Sequence, residues 1–572
     1  MESPFQPHLN TNYSPSDIER LQIAQFVKEL QEELEALNAE LAKLRSQLMT
    51  AKEQLNLTDA GFAEAEQCIA ALLAKREHQA HFIEQHTSLL NPIHSVPFDI
   101  LQRIFEYCGY DPAPFASTQQ DTDPMSPGVC PMLLTFVCSN WRRVALDCTS
   151  IWDKPYISLP HQTSDLSEVR WLEILKNRAH LIHLVLSRAG TRPLTLAVVS
   201  PRGLKTNDGF HAIEKAIVSF SSQWKRLRVK GSNCILQSLL TLPASSVPNL
   251  EFVDLSYPSF SGCMELDAAI GSPDCLISSP SLRGVRLAGT SFRKLHLIPL
   301  PWSKLTDIRL GNLVESHDYL SSDREVLELL SKCSLVQRCE LFVPPGRIFG
   351  TTRHDNPVIL HRLRHLEFVH RDNSTNLFVS LELPALTTLK YVTIKGPEPL
   401  KALLERCAGT LRHLELPISR ISAKDLLSML AQAVHLESLI LGPSPSYGGD
   451  PSPLMTDELL QGLTPPSFKE GESKSAQPSG FHCPNLRTIV LHASHEAPRI
   501  SDKAIFNFIK GRRALEQPTL QHVAISHQVY FKQEDVIAML REHRVDIGDM
   551  TVKLQYRSYN QYGSPISEVL ST

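Results

Sequence analysis

The sequence predicts a mixed α/β chain, helical toward its N-terminus and built beyond that from a repeated strand-plus-helix unit. Three observations carry this expectation. Apolar residues recur at alternating spacings of four and three over 23–55. Two short amphipathic helices can be read within 96–108 and 136–152. After Trp152 a Leu-x-x-Leu-x-Leu unit returns many times, the mark of a solenoid of parallel strands backed by helices.

The 572 residues are 42% hydrophobic and 21% charged, the values of a globular chain. A net charge of −4 offers no basic surplus for nucleic acid or an acidic membrane. The opening M-E-S-P-F-Q-P-H has no signal pattern, and no run approaches the roughly 18 apolar residues of a membrane span. A cytoplasmic or nuclear protein is expected, with no nucleic acid and no membrane among its partners. The 12 cysteines include no C-x-x-C pair, so buried reduced thiols are expected, not a disulfide framework or a zinc site.

Residues 1–15 read as a disordered tail, and 16–90 as a coiled-coil helix or helical hairpin. Ser16 and Asp17, after Pro15, supply a cap. Ile23, Val27, Leu30, Leu34, Leu37, Leu41, Leu44, Leu48, Ala51 and Leu55 form an a/d seam. Phe62, Ala65, Ile69 and Leu72 keep its phase, but the intervening 56–61, ending in Gly61, reads as a turn. A straight helix would need a second chain to cover the seam. A fold-back at Gly61 would cover it within one chain, and this monomeric hairpin is favoured over the coiled-coil dimer.

In 91–155 Pro97 opens a helix with Ile100, Leu101, Ile104 and Phe105 at one-face spacing. A second stripe holds Phe136, Val137, Trp141, Val144 and Ala145, followed by Ile151 and Trp152. The Pro- and Gly-rich 109–131 between them is a loop insertion. Together the two pieces resemble an F-box, the helical module by which substrate receptors dock on the Skp adaptor of SCF ubiquitin ligases. The Leu-rich helix pair running into Asn91, Pro92, Ile93 and on to Pro97 is similar to basidiomycete-type F-box proteins. The resemblance implies an adaptor-binding set of Pro97, Ile100, Leu101, Ile104, Phe105, Val137, Trp141, Val144, Ile151 and Trp152. It also implies a Skp-type adaptor and, through it, a cullin as partners.

Residues 156–550 read as the solenoid. Units begin with P-N-L-E-F-V-D-L at 248–255 and P-S-L-R-G-V-R-L at 280–287, and end with P-N-L-R-T-I-V-L at 484–491 and T-L-Q-H-V-A-I at 519–525. W-K-R-L-R-V at 224–229 is an earlier member. Successive units start 23 to 34 residues apart, with one gap of 50. Helices are expected between them at 323–330, 399–407, 422–430 and 501–509, and a further one at 455–463. The Pro-, Ser- and Gly-rich stretch around 442–480 reads as a disordered insertion that lengthens one repeat, and 551–572 as a tail. This region resembles the leucine-rich-repeat part of F-box receptors, so the full expectation is α/β: hairpin or coiled coil, small helical F-box, then an irregular leucine-rich-repeat solenoid.

No chemistry surfaces beside this. The glycines at 346 and 350 lack the Lys and spacing of a phosphate loop. His78, His81 and His86 share a helix without H-E-x-x-H and read as a solvated face, so no metal is expected. No G-x-S-x-G is present. The expectation is a non-enzymatic substrate receptor without cofactor, carrying an unknown protein substrate on its repeats. The alternative is a coiled-coil and repeat scaffold independent of any ubiquitin ligase.

Overall fold

The computed structural model describes residues 3–9, 13, 15–53, 59–91, 96–108, 125–162, 166–201, 207–231, 233–256, 272–288, 298–311, 323–343, 357–370, 375–393, 398–417, 421–442, 456–466, 481–492, 500–527, 534–559 and 565–571. It is mixed α/β, with N-terminal helices followed by a sheet of parallel strands. No helix among the described residues is long and apolar enough to cross a membrane. The chain divides into two compact units, Met1–Val199 with Asn207–Phe220, and Ser200–Thr206 with Ser221–Thr572.

In the first unit α1 (Asp17–Glu53) opens on a capping box. Ser16 N–H donates to Glu19 Oε2 (2.8 Å), and Glu19 N–H donates back to Ser16 Oγ (3.4 Å). α1 packs against α2 (Asp59–Leu89). Gln79 Nε2 donates to the Leu30 carbonyl (3.3 Å) and to Glu33 Oε2 (3.1 Å), and Arg20 donates to the Leu90 carbonyl (3.1 Å). Ile23, Val27, Leu30, Leu37 and Leu41 of the seam are buried, with Phe82, Ile83 and Leu89 buried on α2. The helices form a hairpin.

Three expectations need correction here. Gly61 lies inside the first turn of α2; the connection falls in 54–58, outside the described residues. Residues 3–9 are no tail, because Phe5 and Leu9 pack on the Ile23–Phe82–Ile83 cluster and add apolar burial to the hairpin. His86, read as solvated, is buried beneath them. Its Nδ1–H donates to the Phe82 carbonyl (2.8 Å), so Nε2 accepts from the Ser3 hydroxyl (2.7 Å).

The same unit contains β1 (Tyr156–Ser158), α5 (Glu168–Ser187) and β2 (Leu194–Val199), a β-α-β with parallel strands registered Ile157 to Val198. Helix α6 (Asp208–Val218) packs on α5 at Gly209, where a Cβ would lie 2.6 Å from Leu175 Cβ. The chain from 156 therefore opens with this α/β element, and the recurrent unit begins in the second unit at Trp224.

There the strands Trp224–Lys230, Phe252–Ser256, Gly284–Ala288, Asp307–Leu310, Arg338–Val343, His365–His370, Thr388–Thr393, His413–Pro417, Ser438–Gly442, Thr488–His492, His522–His527 and Thr551–Tyr559 pair parallel, each with the next. Val253, Val285 and Ile308 stand in one registered row, and Leu414, Leu439 and Ile489 continue it farther on; all are buried. Leu255, Leu287 and Leu310 form the second buried row. The leading leucine of each unit is buried in a turn just before the strand, as Leu250 N–H donates to Val247 O and Leu486 N–H to Cys483 O.

Nine of these steps carry a bulge that sequence does not reveal. The carbonyls of Glu251, Arg283, Thr306, Gln337, Arg364, Thr387, Arg412, Glu437 and Arg487 each accept two successive N–H groups from the next unit. The Pro-Asn and Pro-Ser signatures also find their reason. Asn249 donates to Ser222 O (2.9 Å), Ser281 to Pro248 O (2.6 Å) and Asn485 to Val434 O (2.9 Å), so the polar side chain ties each turn to the one before.

Helices stand at Asp323–Ser331, Glu398–Cys407, Ala423–Leu430, Asp457–Leu463 and Asp502–Arg513, where the sequence places them. Of the insertion expected around 442–480, residues 443–455 and 467–480 lie outside the described residues. The Asp457–Leu463 helix within it is an integral part of the fold, packed between its neighbours with Leu459, Leu460 and Leu463 buried. The 551–572 tail is corrected too: Thr551–Tyr559 extends the sheet and Pro565–Ser571 pairs antiparallel on it, ending the sheet without closure into a barrel.

Candidate docking surface on the short helices

The functional candidate lies in the first unit, on α3 (Phe98–Tyr107), a 3₁₀ turn (Met132–Thr135), α4 (Ser139–Asp147) and a second 3₁₀ turn (Thr149–Trp152). Pro97 is the N-cap, φ −55° and ψ 150°, one residue ahead of the first helical turn where the sequence placed it. Cys138 caps α4 through its Sγ, which accepts from Trp141 N–H (3.4 Å). Each element is too short to stand alone, so a shared core must hold them.

That core takes half of the expected site. Leu101 and Phe105 are 0% exposed, Val144 0%, Ile151 6% and Trp152 1%. The Phe105 and Trp141 rings lie 5.0 Å apart and tilted by 60°. Trp152 Nε1–H donates to the Ala145 carbonyl (2.7 Å), and the Arg188 guanidinium covers its ring at 4.6 Å. Burial holds the Arg188 guanidinium below its ordinary range. Leu101, Phe105, Val144, Ile151 and Trp152 therefore shape the module and present no surface, which corrects their reading as adaptor-contacting residues.

The remaining expected residues are accessible. Pro97 is exposed, Ile100 is 49% and Ile104 41% exposed, and Val137 and Trp141 are half-buried. The four apolar positions of α3 thus do not share one face: Leu101 and Phe105 turn inward, Ile100 and Ile104 outward. Beside the outward pair the structure leaves Phe98, Tyr107 (87% exposed), Leu133, Phe136 and Leu146 open to solvent. Phe136, read as part of the second apolar stripe, stands open instead; the others were missed because periodicity identifies the stripe that a helix buries and carries no signal for apolar residues left open. Polar groups frame them: Arg103 pairs with Glu106 (3.0 Å), Glu106 accepts from Ser150 (3.2 Å), and Arg142 Nε donates to the Thr135 carbonyl (2.7 Å). The 109–131 insertion lies outside the described residues up to 124; its last part forms turns and buries Met125.

Such a surface can bind a partner. In the second unit Glu340, His365 and Glu367 bring ligand atoms within 4.8 Å of one another. Arg309 pairs with Glu340 at 2.8 Å and Lys390 with Glu367 at 3.4 Å, so cations already neutralise both carboxylates. Burial still raises the Glu340 carboxyl and lowers the His365 imidazole from their ordinary values. The group is a rung in an ion-pair network across the sheet. No protein-family model matches the chain, and no curated protein matches it.

Proposed function

We propose that this chain is a non-enzymatic substrate-recognition subunit of an SCF-type ubiquitin ligase. In this reading the short helices are an F-box that docks on a Skp adaptor and, through it, a cullin. The parallel sheet with its helices is an irregular leucine-rich-repeat solenoid that receives a protein substrate in the cytoplasm or nucleus. The observation that carries the reading is the division of labour on α3 and its neighbours. Leu101, Phe105 and Trp152 complete a core, yet Phe98, Ile100, Ile104, Leu133 and Phe136 stay open on the same small module. Large apolar side chains concentrated in this way mark an interaction surface. The recurrent bulge and the turn-to-turn side-chain bonds support the repeat reading.

The test is binding of the full chain to a purified Skp-type adaptor, measured by calorimetry. Ile100→Glu/Ile104→Glu should abolish binding while the melting curve stays intact, since both side chains are exposed. Unchanged affinity in that variant would remove the docking role.

A further inference from the structure

A cysteine stands near each end of the 109–131 insertion. Cys108 is the exposed C-cap of α3, and its N–H donates to the carbonyls of Ile104 and Phe105 (both 3.1 Å). Cys130, half-buried, lies at the far end, just ahead of the Met132–Thr135 turn. The second 3₁₀ turn brings the two approaches together. Its Ser150 hydroxyl donates to Glu106 (3.2 Å), two residues before Cys108. Its Ile151 and Trp152 line one cavity with Cys130, Met125 and Met132. The two sulfurs also sense one another's charge: burial pushes the Cys130 thiol up from its ordinary range, and a thiolate on Cys108 pushes it up further. Exposure divides their parts. An accessible sulfur meets dissolved oxidants, and a shielded one beside it is kept for the second step.

We infer that Cys108 and Cys130 form a redox clasp, with Cys108 as the thiol oxidised by a hydroperoxide and Cys130 as the thiol that resolves it. With hydrogen peroxide, the Cys108 thiolate attacks one oxygen and the O–O bond breaks. Cys108 becomes a sulfenic acid, and the leaving hydroxide takes up a proton as water. The Cys130 sulfur then loses its proton and attacks the Cys108 sulfur. The S–O bond breaks, a second water leaves and the disulfide forms. The two thiols give up two electrons in all, and one peroxide takes them. Exchange with a dithiol returns both to the reduced form. The bond closes 108–130 into a ring and ties the end of α3, beside the open Tyr107, to the turn that carries Leu133.

The test treats the reduced full chain with hydrogen peroxide, blocks the remaining thiols with iodoacetamide and maps peptides by mass spectrometry. A protease that cuts before aspartate separates the two cysteines at Asp111 and Asp121. A linked Cys108–Cys130 peptide should appear, two hydrogens lighter than its parts, and should fall apart in dithiothreitol. Cys68, exposed on α2 and the one cysteine of residues 1–100, is the internal control: it should pass on to sulfinic acid while Cys108 stops at the disulfide. Cys130→Ser, or Cys130→Ala if that variant melts early, should send Cys108 to sulfinic acid as well. Cys108→Ser should leave Cys130 open to alkylation after unfolding. Absence of the linked peptide, or sulfinic acid at Cys108 of the parent as fast as at Cys68, would overturn the proposal. So would linkage of Cys108 to the buried Cys148, whose Sγ lies 3.3 Å from Ser150 Oγ.

Discussion

Ile100 and Leu101 are neighbours in sequence with opposite fates, and most of what can be tested at the residue scale follows from such pairs. Phe105→Ala should destabilise the first unit by about 3–5 kcal/mol, because a ring 0% exposed leaves a cavity. Ile100→Glu should change stability by no more than about 0.5 kcal/mol. Paired urea melts check both. Glu19 supplies a pH-dependent case. Hydrogen bonds from Ser16 and then Tyr13 hold its carboxyl down at about 2. A carboxyl depressed in the fold stabilises it fully above its ordinary range, and that contribution fades as pH falls toward 2. The parent should therefore lose helix at the start of α1 between about pH 4.5 and 2 by amide exchange, and Glu19→Gln should already show the frayed start at pH 7. The buried thiols of Cys333, Cys407 and Cys483 are pushed up to about 12, 11 and 12 by burial. Iodoacetamide on the native protein should label the exposed Cys68 and Cys108 and spare these three.

At the scale of elements, the helices next to a Leu-x-Leu unit were legible where one face alone is buried, whereas Glu168–Ser187, Asp208–Val218 and Val536–Glu542 were not read from the sequence. Ser422 and Ser501 cap their helices where the sequence placed the starts, and the Leu-x-Leu pairs lie on strands. The unit at 551–559 escaped because it lacks the bulge residue: Met550, Val552 and Leu554 stand at Met-x-Val-x-Leu, one position shorter than the other units. The anchoring of the lengthened repeat was equally hidden. Arg512, 0% exposed, donates to the carbonyls of Leu463 (2.7 Å), His482 (2.8 Å) and Cys483 (2.7 Å), on either side of 467–480. No local pattern distinguishes that arginine from a surface one on an amphipathic helix. Arg512→Met should destabilise the second unit by about 3 kcal/mol or more, since several buried carbonyls lose their donors at once. Thermal melts of the variant check this. Gly209→Ala should also cost about 1–3 kcal/mol through its clash with Leu175, and Leu175→Ala should relieve part of that cost in the double variant.

For the whole molecule, the described seam of α1 packs on α2, with Ile23, Val27, Leu30, Leu37 and Leu41 buried, so the protein should sediment as a monomer at micromolar concentration. The sequence carried the order of hairpin, short helices and parallel repeats because each has its own apolar period. It did not divide the short helices into core and open residues, since that division depends on which neighbours arrive from 132–152. The central claim is that the open residues exist to bind an adaptor, and one measurement meets it directly. The full chain, mixed with a purified Skp-type adaptor, is run by analytical ultracentrifugation beside its Ile100→Glu/Ile104→Glu variant. A docking role requires a one-to-one complex for the parent and two separate species for the variant at unchanged melting temperature. A parent that never associates, or a variant that associates equally well, would contradict it.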